Sequence, residues 1–157
     1  MDRDSINATA FAYRGFALTS IGDLCRGEAD LRRALQLRIG SWTKVIRANP
    51  DDTNLLFRRG VAYAELGNYH AAITDYDSIL RLLPTSAEAH WRRGDAQFQL
   101  GDSSEALSEY DAALRLNADF LPAYISRAAL YLTLGKVSTA NTDYESARRL
   151  ELDDQVR

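Results

Sequence analysis

Residues 53–86 read TNLLFRRGVAYAELGNYHAAITDYDSILRLLPTS, and this stretch decides the fold. Apolar and small residues recur at helical spacing along its first half, as at Gly60 and Tyr63. Glycine tolerates the left-handed backbone that ends a helix, and proline cannot continue one. The stretch therefore predicts two helices that meet in a turn at Gly67 and end before Pro84.

The same unit recurs twice more along the chain. Residues 87–120 and 121–154 align with the first unit without gaps, at a period of 34 residues. A small residue holds the same place in each first helix, at Gly60, Gly94 and Ala128, where a bulky side chain would force two paired helices apart. A period of this length predicts stacked units that bury their apolar faces against one another.

The pattern resembles the tetratricopeptide repeat (TPR), a 34-residue helix–turn–helix with recurring large, small and aromatic residues. In the first regular unit it is carried by Leu56, Gly60, Tyr63, Gly67, Ala72, Tyr76 and Pro84. The resemblance implies an all-α fold, a right-handed α-α superhelix (TPR solenoid) of four helix–turn–helix repeats in a single domain over 1–157. The repeats are expected at 8–52, 53–86, 87–120 and 121–154.

The first of these repeats is divergent. Gly15 and Gly60 are 45 residues apart, 11 more than the period. Eleven residues are close to three helical turns, so the insertion keeps the same face inward. An apolar series continues through it and predicts one long second helix from about Cys25 to Ala48, whose extra turns offer a second surface. The alternative is two shorter helices broken at Gly40-Ser41.

An arginine recurs before the small residue of every first helix, and an acid recurs in every second helix. Each arginine precedes its turn glycine by eight residues, and each acid follows it by eight. Residues equidistant from the turn face each other in an antiparallel hairpin, so we expect partly shielded, bidentate ion pairs. The pairs are Arg14–Asp30, Arg59–Asp75, Arg93–Glu109 and Arg127–Asp143. The alternative is that the four arginines bind a polyanion.

The resemblance implies a concave, partner-binding face lined by the first helices. Aromatic residues beside arginines are typical of interaction hot spots. We call the mapped set the predicted groove: Tyr13, Phe16, Asn54, Phe57, Arg58, Val61, Glu65, Trp91, Arg92, Asp95, Phe98, Gln99, Ile125 and Ser126. It should suit a peptide with apolar anchors and an acidic group near Arg58 and Arg92. The alternative is that some of its aromatic residues pack into the neighbouring repeat.

Chaperone-binding members of the family hold an acidic tail with lysines, asparagines and an arginine on the concave helices. In the first three repeats the matching residues are Ala12, Phe16, Arg58, Glu88 and Arg92. In the last three they are Phe57, Val61, Arg92, Pro122 and Ser126. Neither set reproduces the clamp, so we expect no binding of a chaperone tail.

The last repeat differs from the others in its second helix. Asn141 and Arg148 stand where the regular units have isoleucine or leucine, which predicts a polar end of the array. Leu150 and Leu152 stay apolar. An alternative function is therefore self-association, as a homodimer through the C-terminal or the first-repeat helix. A further alternative is a regulatory fragment of a larger protein.

Composition argues against several other classes. The net charge is −3 and the charges are interleaved, so we expect no nucleic-acid or membrane partner. The one cysteine, Cys25, suits a reducing compartment, and we expect a cytoplasmic location, with the nucleus as the alternative. The sequence holds no Cys/His cluster and no phosphate-binding loop, so we expect no catalytic residue, metal or cofactor. The leading hypothesis is a non-catalytic scaffold that binds a protein or peptide partner.

Overall fold

A computed structural model describes residues 3–155, which form eight α-helices joined by short turns. The helices are α1 (Arg3–Ser20), α2 (Leu24–Ala48), α3 (Thr53–Glu65), α4 (Tyr69–Leu82), α5 (Ala87–Leu100), α6 (Ser103–Leu116), α7 (Leu121–Thr133) and α8 (Val137–Gln155). They divide into two compact units at Asp75/Tyr76, within α4. Unit 1 holds α1–α3 and the start of α4, and unit 2 holds the rest. Within the described range, no helix is long and apolar enough to cross a membrane.

The long second helix of the first repeat is confirmed. Helix α2 runs unbroken through Gly40, so the alternative of a break at Gly40-Ser41 is wrong. Its start is capped by Asp23, whose carboxylate accepts a hydrogen bond from the backbone N–H of Arg26. Gly40 lies exposed in open space, so it costs the helix only about 1 kcal/mol relative to alanine.

Four turn glycines close the helical hairpins. Gly22, Gly67, Gly101 and Gly135 all have positive φ, between 72° and 90°. After each glycine the next N–H reaches back to a carbonyl near the end of the preceding helix, as when Asn68 donates to Tyr63 at 2.8 Å. The glycines that recur in the sequence therefore mark turns with the same backbone geometry.

The core of unit 2 is built where α5, α6 and α7 meet. Ala106, Tyr110 and Leu130 are fully buried there, with Trp91 among the side chains packed against them. A Cβ placed on Gly94 would lie 2.8 Å from the Tyr110 ring, so only glycine lets α5 approach α6 this closely. The small residue of the repeat thus serves helix packing.

One face of helix α8 is open, and the corresponding face of α6 is covered by α7. Tyr144 is 38% exposed, whereas Tyr110, one repeat earlier, is fully buried. Asn141 and Arg148 are exposed on the same helix, and Leu152 is half exposed. No helix among residues 3–155 covers this face in the way that α7 covers α6.

Candidate functional site

The structure brings each of the four arginines onto its predicted acid. Arg127 donates from Nε and Nη2 to the two oxygens of Asp143, at 2.8 and 2.7 Å. Arg59 binds Asp75 in the same way, and both acids are buried. The hairpin register read from the turn glycines therefore places these side chains at the same height.

Two of the pairs differ from the expected geometry. Arg93 gives only Nη2 to Glu109, so the expectation of a bidentate pair is wrong there. The other Glu109 oxygen contacts His90 Nδ1 at 2.8 Å, and Arg93 Nε has no hydrogen-bond partner in the part of the chain that the structure describes. Arg14 binds Asp30 with two nitrogens, but its side chain is 64% exposed, so this pair is not shielded. In the described part of the chain, no helix covers the outer side of Arg14.

A second partner of these arginines was missed in the sequence. In three of them Nη1 donates to a side chain 16 residues earlier, on the helix before the hairpin. The bonds are Arg59–Thr43 at 3.1 Å, Arg93–Asp77 at 2.7 Å and Arg127–Asp111 at 2.5 Å. Each arginine therefore joins its own hairpin to the preceding helix. The signal was present, because Asp77 and Asp111 are also 34 residues apart.

Trp91 is not the open anchor of the predicted groove. Its indole N–H donates to Ser126 Oγ at 2.9 Å, and its ring meets Phe120 edge-on at 5.6 Å. The guanidinium of Arg92 lies over the same ring at 4.2 Å. Trp91 and Phe98 pack against the core of unit 2, because α7 brings residues of the next repeat over them. For these two aromatic residues the packing alternative holds.

Asp95 is likewise held inside unit 2. Its carboxylate accepts a hydrogen bond from the Tyr110 hydroxyl at 2.8 Å. Burial raises the pKa of Asp95, although hydrogen bonds from Tyr110 and Ser126 and the charge of Arg92 oppose the rise. Burial and the charge of Asp95 raise the pKa of Tyr110 as well. Asp95 therefore serves an internal network that joins α5 to α6.

The raised pKa predicts a stabilising substitution at this position. An asparagine side chain would keep an oxygen for Tyr110 but carry no charge, so Asp95→Asn is expected to raise the melting temperature at neutral pH by a few degrees. The folded state holds the Asp95 proton more tightly than the unfolded chain. The wild type therefore loses stability as the pH rises from 3.8, the ordinary pKa of an aspartate, through the higher pKa of Asp95 in the folded state. Asp95→Asn does not lose it, so the stability gained by the variant should vanish below pH 3.8. Melting curves at neutral and acidic pH test this, with the exposed Asp102→Asn as control. An equal gain at both pH values would contradict the pKa argument.

An open cavity of unit 1 gathers the other part of the predicted groove. It lies between α2 and α3 and has a volume of about 350 Å³. Its lining comes from these two helices: Leu35, Arg38, Trp42, Phe57, Arg58, Val61, Ala62 and Glu65. Phe57, Arg58, Val61 and Glu65 belong to the predicted groove. The structure therefore places four predicted residues around one concave surface.

The other wall of this cavity comes from the long helix α2. Arg38 and Trp42 lie in its inserted turns, which we expected to form a separate surface. That expectation is wrong, because α3 packs on the second half of α2, where Arg59 reaches Thr43. The spacing of Leu35, Arg38 and Trp42 puts them on one face of α2, and this was the available signal.

The cavity combines an apolar interior with two cations. Leu35, Trp42 and Val61 are half-buried, as is Arg38. Arg58 is exposed, and its Nε donates to Asn54 Oδ1 at 2.9 Å. This bond orients the guanidinium, whose two Nη groups have no acceptor among the side chains that the structure describes. Such a surface can hold an apolar side chain and an anionic group at the same time.

The remaining predicted groove residues lie outside this cavity. Tyr13 and Phe16 on α1 are 74% and 61% exposed. In unit 2, Gln99 and Ile125 are exposed and Arg92 is half-buried. Each of these residues can contact a partner from the surface of its own unit.

Comparison with known proteins identifies the family. The family model described as tetratricopeptide repeat matches residues 21–87 and 62–119, which together make up more than half of the chain. The chain therefore belongs to the tetratricopeptide repeat family. Its fold is that of a protein-interaction scaffold. No curated protein matches the sequence.

Solved structures agree with this fold. A crystal structure of MamA is 28% identical, with a TM-score of 0.67 over 83% of this chain and 74% of that one. MamA 41-end from Desulfovibrio magneticus RS-1 is 17% identical, with a TM-score of 0.69 over 93% and 76%. The first TPR of Spaghetti (RPAP3), bound to the HSP90 peptide SRMEEVD, is 24% identical, with a TM-score of 0.58 over 83% and 95%. The last two likenesses show the fold alone.

Proposed function

We propose that this chain is a non-catalytic scaffold that holds a segment of a partner protein in the cavity between α2 and α3. The observation that supports this most is the convergence of Phe57, Arg58, Val61 and Glu65 with three residues of α2. Membership of the tetratricopeptide repeat family supports an interaction role in general. The cavity is the surface that we propose for this role.

The size and charge of the cavity define the segment that fits. About 350 Å³ is at the small end of the range for ligand pockets, which suits one or two side chains of a peptide. Trp42 and Phe57 offer apolar contact, and Arg38 and Arg58 attract an acidic group. Glu65 at the rim repels a second acid. The ligand is therefore an apolar anchor next to a single carboxylate.

The same chemistry favours binding over catalysis. Arginine stays protonated at any physiological pH, so Arg38 and Arg58 hold anions and do not move protons. Glu65 is the one carboxylate among the lining residues. We further propose a reducing compartment such as the cytoplasm, because Cys25 is exposed and has no second cysteine to pair with.

A peptide array of apolar and singly acidic sequences tests the site. The chain has two tryptophans, so Trp91→Phe leaves Trp42 as the sole reporter within the cavity. Binding should change the emission of Trp42. Phe57→Ala and Arg58→Glu should each weaken the selected peptides by about tenfold or more, as expected for hot-spot residues.

Matched controls separate the site from general effects. Arg33→Glu makes the same charge change at an exposed place of α2 outside the lining, and Tyr13→Ala removes an exposed aromatic residue of α1. Both should bind normally, and the peptide SRMEEVD should not bind. Selected peptides that ignore Phe57→Ala and Arg58→Glu but are lost with Tyr13→Ala would place the site elsewhere.

A further inference from the structure

The arginine bridges follow one rule at the helix junctions that the structure describes. Arg59, Arg93 and Arg127 each use Nη1 to bind the helix before their hairpin. In all three the side chain is shielded, with 16–21% of its surface exposed. The same contact thus recurs at each junction. An arginine on the first helix of one repeat binds a side chain on the second helix of the repeat before it, and in unit 2 that side chain is an aspartate.

Helix α1 carries the arginine half of this junction without its partner. Arg14 uses Nε and Nη2 for Asp30, and its Nη1 has no acceptor among the residues whose side chains the structure describes. Its side chain is 64% exposed. The guanidinium of Arg14 therefore has the geometry of a junction arginine, and its Nη1 group is available to an acceptor.

The surface around Arg14 also resembles an uncovered junction. Ala10 and Ala17 are exposed on α1. Their equivalents on α7, Ala123 and Leu130, are fully buried. The face by which α7 packs on the preceding hairpin is thus present on α1 and open to contact.

Helix α8 carries the acid half. Asp77, Asp111 and Glu145 recur at 34-residue intervals, and the first two bind junction arginines. Glu145 is exposed and has no hydrogen-bond or ion-pair partner within the described residues. It lines a depression of about 480 Å³ on α8, together with Thr142, Ser146, Arg148, Arg149 and Leu152. The two arginines weaken the attraction of Glu145 for a further cation. The Nη1 group of Arg14 and the carboxylate of Glu145 are opposite in charge, and they hold the two positions that form an internal junction in the repeat.

We propose that copies of this chain associate head to tail, with Arg14 of one copy donating to Glu145 of the next. The contact reproduces the internal Arg127–Asp111 junction between two molecules. It joins two different surfaces, so each copy keeps one open end and growth does not stop at a dimer. Asn141 and Arg148 replace the apolar residues of an internal junction, so the association is weak and requires a high protein concentration.

Sedimentation velocity over a wide concentration range tests the contact. The average mass of the wild type should rise with concentration past that of a dimer, and added salt should reduce it. Glu145→Arg should lower the association constant by about tenfold or more, because it places two cations face to face. Glu145 is exposed and makes no hydrogen bond or ion pair within the described residues, so the melting temperature should change by no more than about a degree.

Two further variants make the result specific. Glu151→Arg makes the same charge change on the same helix, at an exposed residue outside the depression, and should associate like the wild type. Glu145→Asp keeps the carboxylate on α8 and should retain association. A wild type that stays monomeric at every concentration overturns the proposal. So does a mass that saturates at the dimer, or an equal loss in Glu145→Arg and Glu151→Arg.

Discussion

Arg127→Ala is expected to lower the free energy of unfolding by about 3–5 kcal/mol. Two nitrogens of Arg127 bind Asp143, and the third binds Asp111 on the preceding helix. The Asp143 side chain is only 6% exposed, so removing the arginine leaves a buried carboxylate without its cation. Urea denaturation in a Trp42→Phe background, followed by the fluorescence of Trp91, reports this loss within unit 2.

Arg14→Ala is the matched control for this prediction. It removes the same guanidinium from the same place in the repeat. The Asp30 carboxylate is also shielded, at 11% exposure, but the Arg14 side chain lies mostly in water, which can replace the arginine at the carboxylate, so the loss should be smaller. Arg127→Ala combined with Asp143→Ala should recover part of the stability, because the stranded charge is gone. If Arg127→Ala melted like the wild type and instead lost binding to a polyanion, the alternative reading of the arginines would be right.

The features predicted well from the sequence are those that a short stretch of chain determines. Gly67 and Gly101 set the turns because only glycine readily adopts the left-handed backbone there. The turn then fixes which residues of a hairpin face each other, so Arg127 and Asp143 could be paired by counting. The long helix α2 followed from helical periodicity through Gly40, which no competing contact opposes.

The features missed depend on which helix packs next to which. Phe57 and Trp91 hold the same place in their repeats, yet Phe57 lines an open cavity while Trp91 is held by Ser126 and Phe120. Their own sequence context cannot separate them, because the difference lies in the helices that meet them. The wall formed by Arg38 and Trp42 likewise depends on α3 packing on the second half of α2. Repeat position predicted the candidate residues, and tertiary packing decided which of them share a surface.

Leu130→Ala is expected to destabilise unit 2 by about 3 kcal/mol. Leu130 is fully buried against Ala106 and Tyr110, and Trp91 packs on the same cluster. Removing three carbon atoms there leaves a cavity that α5, α6 and α7 cannot all close, because Gly94 already brings α5 as near to Tyr110 as the backbone allows. Urea denaturation of the single variant measures the loss.

Leu132→Ala separates burial from the chemistry of the substitution. Leu132 lies two residues further along the same helix and is 44% exposed, so the same truncation should cost well under 1 kcal/mol. Because Trp91 packs on the Leu130 cluster, its emission in the folded state should shift to longer wavelength in Leu130→Ala and stay unchanged in Leu132→Ala. Equal losses in the two variants would mean that α7 does not close unit 2. Trp91 would then be available to a partner. The binding site could no longer be assigned to the cavity of unit 1 on the ground that Trp91 is packed and Phe57 is open.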